Sequence, residues 1–287
     1  RSTLFPYTTL FRSVKFFPVL VLTNIRLLLA GGLLLGYLLL TDREKLKAML
    51  RDKQTLGSIL LFALFGLLLN QFSYLKSIYE SNAGTATVLQ YVCPVGILAY
   101  TCIKDRVAPT LTEILSIILA IGGTFLIATH GQLNQLTVTP AGLFWGLFAA
   151  FTYALYILIP IQLIKSWGSI PVIGIGMMMA GSALTPFSGL LHFHWKLSME
   201  VYLSLAGIVL IGTILAYTLF LKGASLVGPV KSSLLAAVEP ISAVFFAFAI
   251  MHERFYLIDF AGMAMILIAV LLISLKDLVL EKKKGLL

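Results

Sequence analysis

The chain has 287 residues, 59% of them hydrophobic and 11% charged, with a formal net charge of +9. So little polar surface cannot coat a water-soluble globule, which excludes a soluble domain and places the chain in a bilayer. The basicity suggests nucleic acid only until its placement along the chain is considered.

At the amino end, Thr3 to Ser13 (TLFPYTTLFRS) looks like the in-frame translation of a sequencing-library adapter. Its polarity fits neither a signal peptide nor a spanning helix, so residues 1–13 are set apart as a non-native segment. A spanning helix needs about 20 mostly apolar residues. Such runs lie near 18–40, 56–78, 82–103, 111–129, 141–160, 171–191, 201–221, 229–251 and 257–275, predicting an all-α integral membrane protein with nine transmembrane helices. The short links between them leave no room for an independent catalytic module. Pro18-Val19 resembles Pro171-Val172, each opening an apolar helix, and only the second is preceded by another helix, Ala141 to Pro160. The full-length protein is therefore expected to have ten helices in two sets of five, the first absent here.

One helix-loop-helix unit is written twice, from Tyr74 to Arg106 and from Phe220 to Arg254. The first runs from Leu75-Lys76 through Ser81-Asn82-Ala83-Gly84 to Val92-Cys93-Pro94 and Asp105-Arg106. The second runs from Leu221-Lys222 through Leu226-Val227-Gly228 to Val238-Glu239-Pro240 and Glu253-Arg254. Pro94 and Pro240 lie 146 residues apart. Between residues 74–103 and 220–249 only five positions match at that offset, and the order of features carries the duplication, as in transporters built from repeats.

With Thr41 to Thr55 taken as cytoplasmic and the sides alternating, fourteen Lys and Arg fall inside, against Lys76, Lys196 and Arg254 outside. This positive-inside bias makes the basicity topological and the C-terminus cytoplasmic, with no nucleic-acid partner. An odd number of helices per repeat inverts the second copy, and inverted halves can rock between inward-open and outward-open states.

A small-residue helix start, a mid-helix proline and an acid-Arg ending, followed by a Gly-bearing helix such as Ile121-Gly122-Gly123, resemble the EamA domain of the drug/metabolite transporter superfamily. The resemblance covers residues 14–130, a first repeat lacking its first helix, and 140–278, a second; 279–287 form a basic cytoplasmic tail. It implies a central cavity between the halves and export of amino acids, other small metabolites or toxic amphiphiles by a multi-pass protein of the bacterial cytoplasmic (inner) membrane. Cys93, where the second repeat has Glu239, departs from the repeat's own pattern.

Ionisable groups at mid-membrane depth are costly and point to mechanism. Glu239 lies eleven residues after Gly228, about 16 Å along a helix, and is the candidate for proton coupling or for pairing with a substrate amine; a structural hydrogen bond is the competing role. Pro94 and Pro240 are helix breaks, and Pro240 lacks the N–H that would engage a carbonyl one turn earlier. Ser232, Ala236, Glu239 and Ala243 share one helix face, as Ala86, Gln90 and Pro94 do theirs. Gln90, the Asn70 and Tyr74 pair, Trp145, Tyr153 and Tyr217 complete the candidate cavity, the aromatics offering apolar walls or a π face for a cation. Arg26, a third of the way into its helix, is expected to snorkel to the outer interface.

Cys93 and Cys102, nine residues apart on one helix, read as packing residues. His192 and His194 read as an interfacial loop, so no metal site is expected. No cofactor is expected either, since no Walker loop, His-Glu-x-x-His site or nucleophile elbow occurs. The sequence thus reads as a secondary transporter whose partners are a small-molecule substrate and the lipid bilayer, with a homodimer left open. An integral-membrane enzyme acting on lipid or isoprenoid substrates, and a passive channel, are the alternatives.

Overall fold

The structure, a computed structural model, describes residues 19–81, 83–129, 131–132, 139–192, 199–236, 238–239 and 257–283. Every regular element among them is helical. Among the described residues, six helical stretches are long and apolar enough to cross a membrane: Leu20–Thr41, Lys53–Glu80, Thr85–Asp105, Pro140–Trp167, Ser169–Ser188 and Tyr202–Val227. Leu111–Leu126 and Phe260–Leu272 are shorter apolar stretches. The run at 229–251 is described only at Pro229–Leu235 and at residues 238–239.

The chain divides into two compact units, and each draws on both sequence repeats. The first comprises residues up to Leu69 and Leu155–Leu226; the second comprises Asn70–Ala154 and the residues from Val227 onward.

In the first unit, α1 (Val19–Thr41) packs along α8 (Ser169–Ser188), the helix whose opening it resembles. The approach is close because Gly31 faces backbone: a Cβ there would stand 2.7 Å from the Met178 nitrogen and 3.1 Å from the Gly174 oxygen. Buried Asn24 on α1 donates to Thr185 (3.2 Å) and Ser188 (2.8 Å) of α8, a polar clasp suited to a medium that offers no other partner. The link expected between Thr41 and Thr55 contains a short helix, α2 (Arg43–Arg51), capped by Asp42 and burying Leu46 and Met49. Asp52 then caps α3 (Lys53–Glu80), accepting from the Gln54 N–H and the Thr55 hydroxyl.

Two long helices carry a π-helical stretch in mid-course. In α3 it is Phe62–Leu68, and in α9, which joins Met199–Val209 to Ala216–Val227, it is Leu210–Leu215. Lys53 and Met199, where these helices begin, stand 146 residues apart, as do Gly66 and Gly212 within the π stretches. The widened turn therefore recurs at the spacing of the sequence repeat. At Gly66 a Cβ would stand 3.0 Å from the Tyr156 Cα, so the π turn of α3 lies close against α7 (Pro140–Trp167).

In the second unit the predicted 82–103 helix is two helices, α4 (Ala83–Gln90) and α5 (Cys93–Asp105), broken at Tyr91-Val92. Pro94 sits in the first turn of α5, where no N–H is required of it. Thr110 and Glu113 form a reciprocal cap at the start of α6 (Leu111–Thr129). α6 lies along α11 (Leu257–Lys283), and α10 (Pro229–Leu235) packs on α5, α6 and α11. Gly123 sets the spacing of α6 and α11, since a Cβ there would meet the Gly262 oxygen at 2.5 Å and the Ile266 Cγ1 at 2.7 Å. Tyr91, Leu98, Ile117, Leu234, Ile266 and Ala269 form the adjoining core.

Candidate functional site

The helix break after α4 places the polar side chains of the second unit. Gln90 is the last residue of α4, and the Tyr91 N–H still bonds to the Thr87 carbonyl at 3.0 Å, so the regular pattern is lost only after Tyr91. The Gln90 amide donates to the Asn70 carbonyl oxygen on α3 at 3.3 Å. Asn70 Oδ1 also lies 3.4 Å from the Thr152 hydroxyl on α7, and Thr152 lies 3.1 Å from the Ser73 hydroxyl. Thr152 has one proton and is within reach of the Phe148 and Ala149 carbonyls as well, so only one of these oxygens holds it at a time. One turn beyond Asn70, the Tyr74 hydroxyl meets Thr87 of α4 at 3.0 Å. Asn70 and Gln90 thus share one network with Thr152 and Ser73, and the Tyr74–Thr87 contact bridges α3 and α4 separately.

Glu239 follows α10 by one turn. The sequence places Pro240 after it, and without a proline N–H the Ala236 carbonyl lacks its ordinary α-helical partner. That oxygen is taken by the Tyr91 hydroxyl at 3.0 Å and by the Glu239 N–H at 2.9 Å. The same Tyr91 hydroxyl stands 3.3 Å from Glu239 Oε2, so its single proton is shared between a carbonyl and a carboxylate. Tyr91 is 7% exposed, and its hydroxyl holds one oxygen of the Glu239 carboxylate. Tyr74 lies near enough to Glu239 to interact with it electrostatically, and Tyr153 lies near enough to interact with Tyr91.

Trp145 and Tyr217 each pack against other rings. Trp145 meets Phe72, Phe144 and Phe148 edge-on, with ring centroids 5.6, 5.3 and 6.0 Å away, in an aromatic cluster whose outer members are exposed. Tyr217 belongs to the first unit, where it meets the ring of Tyr156 edge-on at 5.6 Å. Pro94 is buried at the start of α5, and Pro240 lies outside the described residues. Tyr91, Thr87, Thr152 and Ser73 are members that the sequence reading missed. The one signal for Tyr91 was its place beside Gln90 and three residues before a proline, where a helix is set to break.

Comparisons with known proteins bear on the whole chain. The model of the EamA-like transporter family matches it twice, at residues 3–129 and 140–275. An inner membrane transporter of Salmonella typhimurium, YicL, itself uncharacterized, is 37% identical over 254 residues, covering 88% of this chain and 84% of its own length. An uncharacterized transporter of Bacillus subtilis, YcbK, is 22% identical over 187 residues, covering 63% of this chain and 60% of its own. A crystal structure superposes with a TM-score of 0.75 over 92% of this chain and 90% of that one, at 14% identity, which speaks to the fold alone. With two family matches spanning most of its length and a transporter relative at 37% identity, this chain is a membrane protein of the EamA-like transporter family.

Proposed function

We propose that the chain is a secondary transporter of the bacterial cytoplasmic membrane that exports small organic metabolites such as amino acids. It works by alternating access of two inverted repeats, and it is a carrier and not an enzyme. The observation that carries this reading is the Glu239 carboxylate, held at one oxygen by Tyr91 from the opposite repeat. A carboxylate so placed can take up a proton, or pair with a substrate amine, and either change alters its hold on Tyr91. The Tyr91 hydroxyl then donates its hydrogen bond to the Ala236 carbonyl alone, so occupancy of Glu239 is linked to the contact between two broken helices. The fourteen-to-three distribution of basic residues supports a cytoplasmic C-terminus and an opposite sense for the second repeat.

Counterflow in proteoliposomes tests the reading. Vesicles preloaded with unlabelled amino acids should accumulate tracer amounts of the labelled mixture, and an imposed pH gradient should alter the rate. Glu239→Gln should abolish the pH response and slow flux by about tenfold or more, the worth of one charge-assisted contact. Wild-type flux and pH response in that variant would remove Glu239 from the mechanism. Flux without trans-stimulation would indicate a channel instead.

A further inference from the structure

Arg26, expected to reach the outer interface, is engaged by a neighbouring helix. Its Nε donates to the Thr213 hydroxyl of α9 at 3.2 Å, and that hydroxyl donates back to the Ile208 carbonyl at 2.9 Å across the π turn. Thr213 lies midway between Met199 and Val227, the ends of α9, and so roughly 20 Å from either end at helical rise. A snorkelling arginine seeks the nearer end of its neighbours, whereas this one is fixed at mid-length. Among the described residues, no carboxylate lies within the 4.0 Å of an ion pair with it. A guanidinium inside the membrane is costly and is ordinarily paired. With Nε engaged, the four N–H groups on Nη1 and Nη2 keep the fork geometry that fits a carboxylate, and the residue is only half-buried.

We propose that Arg26, oriented by Thr213, binds a carboxylate of the transported molecule, so that the cargo is an acidic or zwitterionic small metabolite. The π turn of α9 is part of the device, because it brings the Thr213 hydroxyl within reach of the Ile208 carbonyl and leaves its lone pair facing Arg26. The identity of the ligand as cargo rests on the transporter reading above; the binding itself is tested without flux.

The intact protein in proteoliposomes is treated with phenylglyoxal, which modifies guanidinium groups, and labelling of Arg26 is followed by peptide mass spectrometry. The probes are a mixture of amino acids with acetate, succinate and benzoate, set against the matching carboxamides. The carboxylates should slow labelling of Arg26 by about tenfold, as expected for one charge-assisted pair, and the carboxamides should not. Thr213→Val should weaken that protection and Thr213→Ser should restore it; if the valine variant does not fold, the wild-type comparison decides alone. Equal rates with and without carboxylate, equal protection by carboxamides, or an Arg26 that reacts only after denaturation would each overturn the proposal. Protection without counterflow would overturn the exporter reading alone, and counterflow without protection would overturn the role of Arg26 alone.

Discussion

Gly123→Ala should destabilise the protein while Gly36→Ala does not, although both replace a helical glycine by the best helix former. At Gly123 the new methyl would stand 2.5 Å from the Gly262 carbonyl oxygen, and restoring a 3.4 Å contact requires α6 and α11 to part locally by 0.9 Å. The obstacle is backbone, so no side-chain rotation relieves it. Overpacking of this kind costs about 1–3 kcal/mol, against roughly 1 kcal/mol regained in helix propensity. At Gly36 nothing lies within 4 Å, and only the propensity gain applies. The two variants should therefore differ by about 2 kcal/mol, which is about 4–8 °C in melting temperature at 2–4 °C per kcal/mol. Thermal unfolding of the detergent-solubilised variants, followed by far-UV circular dichroism, measures this directly. Gly31→Ala should behave as Gly123→Ala does, its methyl being 2.7 Å from the Met178 nitrogen. If Gly123→Ala melts with Gly36→Ala, the close backbone approach of α6 and α11 is wrong.

Tyr91→Phe preserves volume and removes only the hydroxyl that serves Ala236 and Glu239; it should lower stability by about 1 kcal/mol, and an unshifted melting temperature would show that the hydroxyl is idle. A double-mutant cycle on Asn70→Ala and Gln90→Ala should give a coupling of about 0.5 kcal/mol or more, whereas strict additivity would mean that the 3.3 Å contact carries no energy. Outside the membrane, hydrogen bonds from Thr55 and then Gln54 hold the Asp52 carboxyl below its ordinary range. A lowered value in the folded state stabilises above the unfolded value of about 3.9 and is lost as pH falls through the folded one. Asp52→Asn keeps an acceptor for the cap but cannot titrate, so its melting temperature should fall less than the parent's between neutral and strongly acidic pH. Parallel acid limbs would refute that assignment.

Apolar run length and proline placement made most helices legible, because in lipid the backbone must satisfy itself within each segment. The absent N–H of Pro240 even marked where a donor had to arrive, at the Ala236 carbonyl, though not that Tyr91 supplies it. Donor identity depends on which helix lies opposite, and no local pattern encodes that. The π turns were illegible for a related reason. Phe62–Leu68 and Leu210–Leu215 have ordinary apolar compositions, and one extra residue per turn leaves no periodic mark. Only the matched Gly66 and Gly212 hinted at them. Arg26 misled because depth was counted along its own helix, whereas its partner Thr213 belongs to α9.

The duplication acts differently at its packed helices and at its broken ones. Where α1 meets α8 and α6 meets α11, each helix lies against the one its sequence resembles, and glycine sets the spacing in both pairs. Such self-complementary contacts need the copies to stay alike. The breaks need no such likeness, because a carbonyl freed by proline can be served by any donor. At Ala236 the donor is Tyr91 of the first repeat, while the residue 146 positions after Tyr91 is Ala237, which has no hydroxyl to return to the first break. Glu239 likewise stands where the first repeat has Cys93. Both substitutions fall on one break, and together they bring a carboxylate and a phenol to the same freed carbonyl.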